Sequence, residues 1–89
     1  MFDDLNKKVW ITVKAFYEAG LQHLGKELYS VGPVTSPATL KNMMDRCQTI
    51  KTLLRLRAPS QATWNKFHPQ LESLFEEIQT LTRAVKEMS

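Results

Sequence analysis

Apolar residues recur from Trp64 to Met88 at a strict alternation of three and four: Trp64, Phe67, Leu71, Leu74, Ile78, Leu81, Val85 and Met88. An average spacing of ~3.5 residues writes one apolar seam along a helix and suits packing at a small crossing angle. With Trp64 at heptad position a, Pro69 falls at f, farthest from the seam. A proline there bends the helix without entering its core and removes only the N–H that would reach Asn65. The alternative is a separate turn over residues 60–68, with the long helix starting at Pro69. Phe75 at e and Ala84 at g broaden the stripe, favouring a bundle over a two-stranded coil. Glu72, Glu76, Arg83, Lys86 and Glu87 keep the outer positions charged.

Two earlier segments carry the same period. In the first, Phe2, Leu5, Val9, Val13, Phe16, Gly20, Leu24 and Leu28 are spaced by threes and fours, with Trp10, Tyr17 and Leu21 on one flank. Asp3 or Asp4 can cap this helix and complement its dipole. Gly20 lies in the stripe, where a missing side chain admits a neighbouring backbone; the alternative is that Gly20 or Gly25 breaks the segment in two. Gly32 and Pro33 end it. Ser36 followed by Pro37 reads as N-cap and first helical residue. The next helix then places Leu40, Met43, Met44, Cys47, Ile50 and Leu54 on one face. Pro59 stops it near Arg57 or Ala58, and Ser60 caps the last helix.

The connections force antiparallel reversals. The expected fold is all-α: an antiparallel up-down-up three-helix bundle with helices at about residues 3–30, 37–58 and 60–88 in one domain. A fourth helix arises if the first segment breaks near Gly20 or Gly25. The acidic start, with a helix following at once, is unlike a secretory leader and reads as a domain excised from a longer protein. Apolar residues at 43% and charged residues at 24% argue against disorder, and no apolar run approaches a membrane span. The single Cys47 excludes an internal disulfide and suits an intracellular compartment, cytoplasmic or nuclear.

Catalytic constellations are missing from the sequence. There is no Gly-rich phosphate loop after a strand, no metal-ligand spacing and no nucleophile motif, so neither enzyme activity nor a cofactor or metal is expected. His23 sits at the edge of the first stripe, His68 at an e position, and neither has a second ligand one turn away. Cys47 reads as a small buried hydrophobe, and Glu76 and Glu77 do not converge.

The charge is uneven. Residues 38–58 carry Lys41, Arg46, Lys51, Arg55 and Arg57 against Asp45 alone, +4, whereas residues 1–30 balance to zero. These bases lie on both sides of the second helix's buried face and no aromatic interleaves them, which points away from nucleic acid. The apolar surplus is more telling. Leu53 and Leu56, with Arg46 and Arg57 beside them, would form an apolar strip with a basic rim, fit for an amphipathic or acidic segment of another protein. Trp10 is a further candidate anchor. The expected function is a non-enzymatic protein–protein interaction or scaffolding module, monomeric rather than dimeric. The alternatives are a nucleic-acid-binding helical domain using the basic helix, or a homo-oligomerisation domain built on the seam.

Overall fold

The computed structural model describes residues 1–88. They form four helices, α1 (Asp3–Glu18), α2 (Gln22–Tyr29), α3 (Pro37–Arg57) and α4 (Gln61–Met88). The single first helix expected over residues 3–30 is therefore two, and the three-helix count becomes four. The break falls at Gly20, one of the two glycines at which the segment could divide, while Gly25 lies inside α2.

Its cause is local. Gly20 has φ +80°, the left-handed region that L side chains avoid. Its N–H bonds the Tyr17 carbonyl at 3.1 Å, and the Leu21 N–H bonds the Phe16 carbonyl at 2.9 Å. That pair of bonds is the Schellman ending, with Leu21 packing back toward the core as the motif requires. The chain reverses, and α2 lies antiparallel on α1. Trp10 accordingly meets Tyr29, and a Cβ at Gly25 would sit 3.0 Å from the Tyr17 ring.

The other helix ends follow from their sequences. Ser36 accepts the Thr39 N–H at 3.2 Å while the Thr39 hydroxyl accepts the Ser36 N–H at 2.9 Å, a capping box with Pro37 in the first turn. Ala58 has ψ 127°, the extended geometry imposed by Pro59, so α3 stops at Arg57. The Ser60 hydroxyl accepts the Thr63 N–H at 3.2 Å and caps α4. Pro69 is exposed inside α4, which continues through it.

Contacts between helices set their directions. Lys51 meets Glu72 and Arg55 meets Trp64, so α3 and α4 are antiparallel. Lys8 meets Glu77 and Phe16 stacks on Phe67 with centroids 4.7 Å apart, so α1 and α4 are antiparallel too. α1 packs against α2 and α4, and α3 packs against the same two. At 1.5 Å per residue α4 is ~42 Å long, matching the 43 Å long axis of the molecule.

All four helices contribute to the core. It holds Leu5, Val9, Val13 and Phe16 of α1, Leu24 and Leu28 of α2, Leu40, Met43, Cys47, Ile50 and Leu54 of α3, and Phe67, Leu71, Leu74 and Ile78 of α4. Val34, in the α2–α3 loop, joins them. The heptad seam is thus buried in its middle. Trp64, Leu81 and Val85 are half-buried and Met88 is exposed. The Cys47 thiol is pushed up to about 12 by burial, so it stays protonated and unreactive in the folded chain.

No atom lies within 4 Å of a Cβ built on Gly20, so replacing it tests backbone conformation without a steric clash. Gly20→Ala is expected to lower stability by about 1 kcal/mol in urea unfolding. Gly20→Asn should recover part of that loss, because Asn tolerates the left-handed region. Equal losses for both variants would show that the turn is not set by φ.

Candidate interaction surface

α3's basic side chains are mostly engaged within the molecule. Arg46 Nη1 donates to Glu27 Oε2 of α2 at 2.7 Å. Lys51 Nζ donates to Glu72 Oε1 of α4 at 2.7 Å and lies 5.6 Å from the centre of the Phe75 ring. The Arg55 guanidinium lies 5.9 Å from the Trp64 ring, which itself stacks on His68 with centroids 4.6 Å apart. His68 Nε2 is 3.3 Å from Glu72 Oε1. The sequence shows no aromatic among α3's bases, yet the fold brings Trp64 and Phe75 of α4 to them. Because Trp64 already holds His68 and Arg55, it is not a vacant stacking platform.

Leu53 and Leu56 part company. Leu53 is half-buried against the core, whereas Leu56 is 74% exposed. Arg57 is exposed, and Arg46 is tied to Glu27. Leu56 therefore stands alone, as single exposed leucines commonly do. His23 is exposed rather than at a core edge. Among the described residues no group of three or more His, Cys, Asp or Glu could hold a metal, and no helix is long and apolar enough to cross a membrane.

Trp10 has the richest surroundings of the five residues singled out from sequence. It is 52% exposed, Tyr29 60% and Tyr17 39%. The Trp10 and Tyr29 rings meet at 5.9 Å between centroids, tilted by 54°, and form a ridge across the α1–α2 seam. A recess opens on either side of it. The first, of about 220 Å³, has Val9, Val13 and Leu28 as its floor, with Asn6, Gly32 and Pro33 beyond. The second, of about 330 Å³, runs along Tyr17, Lys14 and Glu18 and shares Trp10, Val13 and Tyr29 with the first. Gly25 makes the second possible, since with no Cβ it lets the Tyr17 ring lie across α2.

Asn6 fixes the far wall of the first recess. Its Nδ2 donates to the Val34 carbonyl at 3.0 Å and its Oδ1 accepts the Val34 N–H at 2.9 Å. One amide side chain thereby satisfies both backbone groups of a buried loop residue and holds Gly32 and Pro33 against α1. Sequence reading picked out Trp10 and the Tyr17 flank. It missed Tyr29 and Asn6, because both matter only once α2 has turned back.

Comparison with protein-family models, with curated proteins and with solved structures found nothing that matches the chain.

Two predictions follow from these contacts. Asn6→Ala leaves the Val34 N–H and carbonyl without partners and should cost about 1–3 kcal/mol in chemical denaturation; a loss under a few tenths would mean that water replaces the amide freely. The second concerns Glu72, whose pKa is lowered chiefly by the Lys51 hydrogen bond, and further by the charges of Lys51 and His68. A depressed folded-state pKa contributes stability above the ordinary value of 4.5 and loses it as pH falls through the folded value. Because the carboxylate is solvent-exposed, Glu72→Gln should be less stable by only a few tenths of a kcal/mol near neutral pH. That gap should close in acid; a gap constant down to pH 3 would refute the ion-pair origin.

Proposed function

We propose that this protein is a non-enzymatic interaction module that docks a segment of another protein on the outer face of the α1–α2 hairpin. The observation that carries the reading is the contiguous, exposed Trp10–Tyr29 ridge with an apolar recess on each side. Isolated apolar side chains on a surface need no explanation, but clustered aromatics over a concave apolar floor have the composition of a binding hot spot. The recesses lie near or below the ~300 Å³ at which cavities for drug-sized ligands begin. They suit side chains of a polypeptide better than a cofactor.

Further support comes from what the surface does not have to do. Trp10 and Tyr29 contribute little to the core, which Leu, Val, Ile, Met and Phe fill without them. Docking through Leu53 and Leu56 is the weaker form of the same reading, since Leu56 is exposed but Leu53 is half-buried against the core. A nucleic-acid reading on α3 has to contend with Arg46 and Lys51 already bound to Glu27 and Glu72. Phosphates would need to displace both.

Variants separate these surfaces. In affinity capture from reducing cell extract, Trp10→Ala/Tyr29→Ala should lose most of the partner recovered by wild type, and Leu56→Asp should retain it. Cys47 unreactive to a thiol reagent in both variants would certify that the fold survives. Retention by the aromatic variant together with loss in Leu56→Asp would move the site to α3.

A further inference from the structure

We infer that the segment docking on this face is proline-rich and extended, a polyproline II strand whose prolines enter the two recesses; this rests on the docking reading above. Charge does not choose the occupant. Lys14 and Glu18 line the second recess together, and no ionised side chain lines the first. Across the hairpin Lys7, Lys14 and Lys26, without ion pairs among the described residues, are offset by Asp3, Asp4 and Glu18. Hydrogen-bonding groups and shape are left to decide. The free polar edges on this face are chiefly donors. Among the described residues the Trp10 indole N–H and the Tyr17 and Tyr29 hydroxyls form no hydrogen bond, and all three side chains are exposed. Fixed acceptors are already engaged. Both amide atoms of Asn6 hold Val34, and the Tyr29 carbonyl accepts the Gly32 N–H at 3.0 Å. Glu18 is the one carboxylate beside a recess.

Such a face fits an occupant that brings carbonyls and few N–H groups. Proline has no N–H, and a polyproline II backbone makes no internal hydrogen bonds, so its carbonyls are open to the indole and phenols. An extended segment without proline would instead cover its own N–H groups where Glu18 alone could receive them. A helix engages its own carbonyls and leaves the three donors unmet. A second copy would set donors against donors. Shape agrees with the proline reading. The first recess draws on residues 6–13 of α1 and the second on residues 10–18. That is an offset of roughly 5–8 Å along the helix. A polyproline II strand rises ~3.1 Å per residue and covers this offset in about two or three residues. Prolines at that spacing put one ring into each recess and carry the chain over the Trp10–Tyr29 ridge. Aromatic walls are the surfaces on which proline rings are recognised. The chain holds one instance already, since its own Pro33 lines the first recess with Trp10 and Tyr29.

The test is selection from a random peptide-display library against the intact protein. Backbone amide shift mapping of the selected peptides then locates them. The expected result is peptides with prolines two or three residues apart, perturbing the resonances of Val9, Trp10, Val13, Tyr17 and Tyr29. The Trp10 indole N–H resonance should move downfield as a carbonyl accepts it. Affinity should change less than about twofold between low and high salt, because the rim is balanced. Tyr29→Phe keeps the ring and the ridge and removes only the hydroxyl. It should weaken the selected peptides about three- to tenfold. Selected peptides that fill the recesses yet are helical or lack proline would overturn the proline assignment and leave the docking reading standing. Proline peptides that bind Tyr29→Phe and Tyr17→Phe as tightly as wild type, with the indole resonance unmoved, would do the same to the donor argument and with it the assignment. Peptides that perturb other surfaces, or a library yielding none, would sink both readings. So would concentration-dependent shifts of these same amides in the protein alone, which would make the occupant a second copy.

Discussion

Gly20 holds a left-handed backbone that places the Leu21 N–H on the Phe16 carbonyl, and the direction of α2 depends on it. Were residue 20 helical, α1 would run on toward residue 30 and α2 would not lie back on it. The reversal brings Gly25 under Tyr17, Tyr29 against Trp10, and the α2–α3 loop back to the first turns of α1. There Asn6 secures Val34 through both of its amide atoms. α3 then starts at the same end of the molecule as α1. With the further reversals over residues 30–36 and 58–60, the four helices alternate in direction.

Periodicity revealed the buried faces but not this turn, and the reason is geometrical. Leu24 and Leu28 continue the three-and-four spacing from Phe16 and Gly20, so the pattern looks the same for one long helix as for a hairpin. In both cases those leucines face the core, and they are buried here. The deciding signal was Ala19-Gly20-Leu21, a glycine with an apolar residue directly after it, which is how a helix commonly ends. Stronger local chemistry was readable: Ser36, Pro37 and Thr39 start α3, and Pro59 stops it. Pro69 was placed outward by the heptad and is exposed. Of the candidate site, Trp10 was legible as a flank residue. Tyr29 and Asn6 join it only through tertiary reversal, which no local pattern encodes.

Segment charge misled in a related way. Residues 38–58 carry the surplus and residues 1–30 sum to zero, so α3 was the natural place to seek an electrostatic surface. Folding redistributes availability. Arg46 draws on Glu27 of α2, and Lys51 on Glu72 of α4. What decides recognition is which charges remain unpaired, and a local sum does not contain that information. The α1–α2 hairpin gives the carboxylate of Glu27 to α3 and the ammonium of Lys8 to α4, so these pairings leave its charge balanced.

A small chain has little apolar surface to spare, because a domain of this size hides only about 60–65% of its unfolded area. The core here is built from aliphatic residues, one Phe16–Phe67 stack and a buried thiol. Trp10 and Tyr29, each larger than most of the buried set, stay more than half exposed. Their partial contact with one another shields a little area and orients the rings, but it leaves the recess floors of Val9, Val13 and Leu28 reachable from outside. For folding alone, a leucine pair at these positions would bury as well and a polar pair would dissolve as well. An indole and a phenol hold an apolar body and a polar edge together, which suits a surface that is wet when free and covered when bound. On the docking reading proposed above, the same two positions would serve solubility and recognition at once.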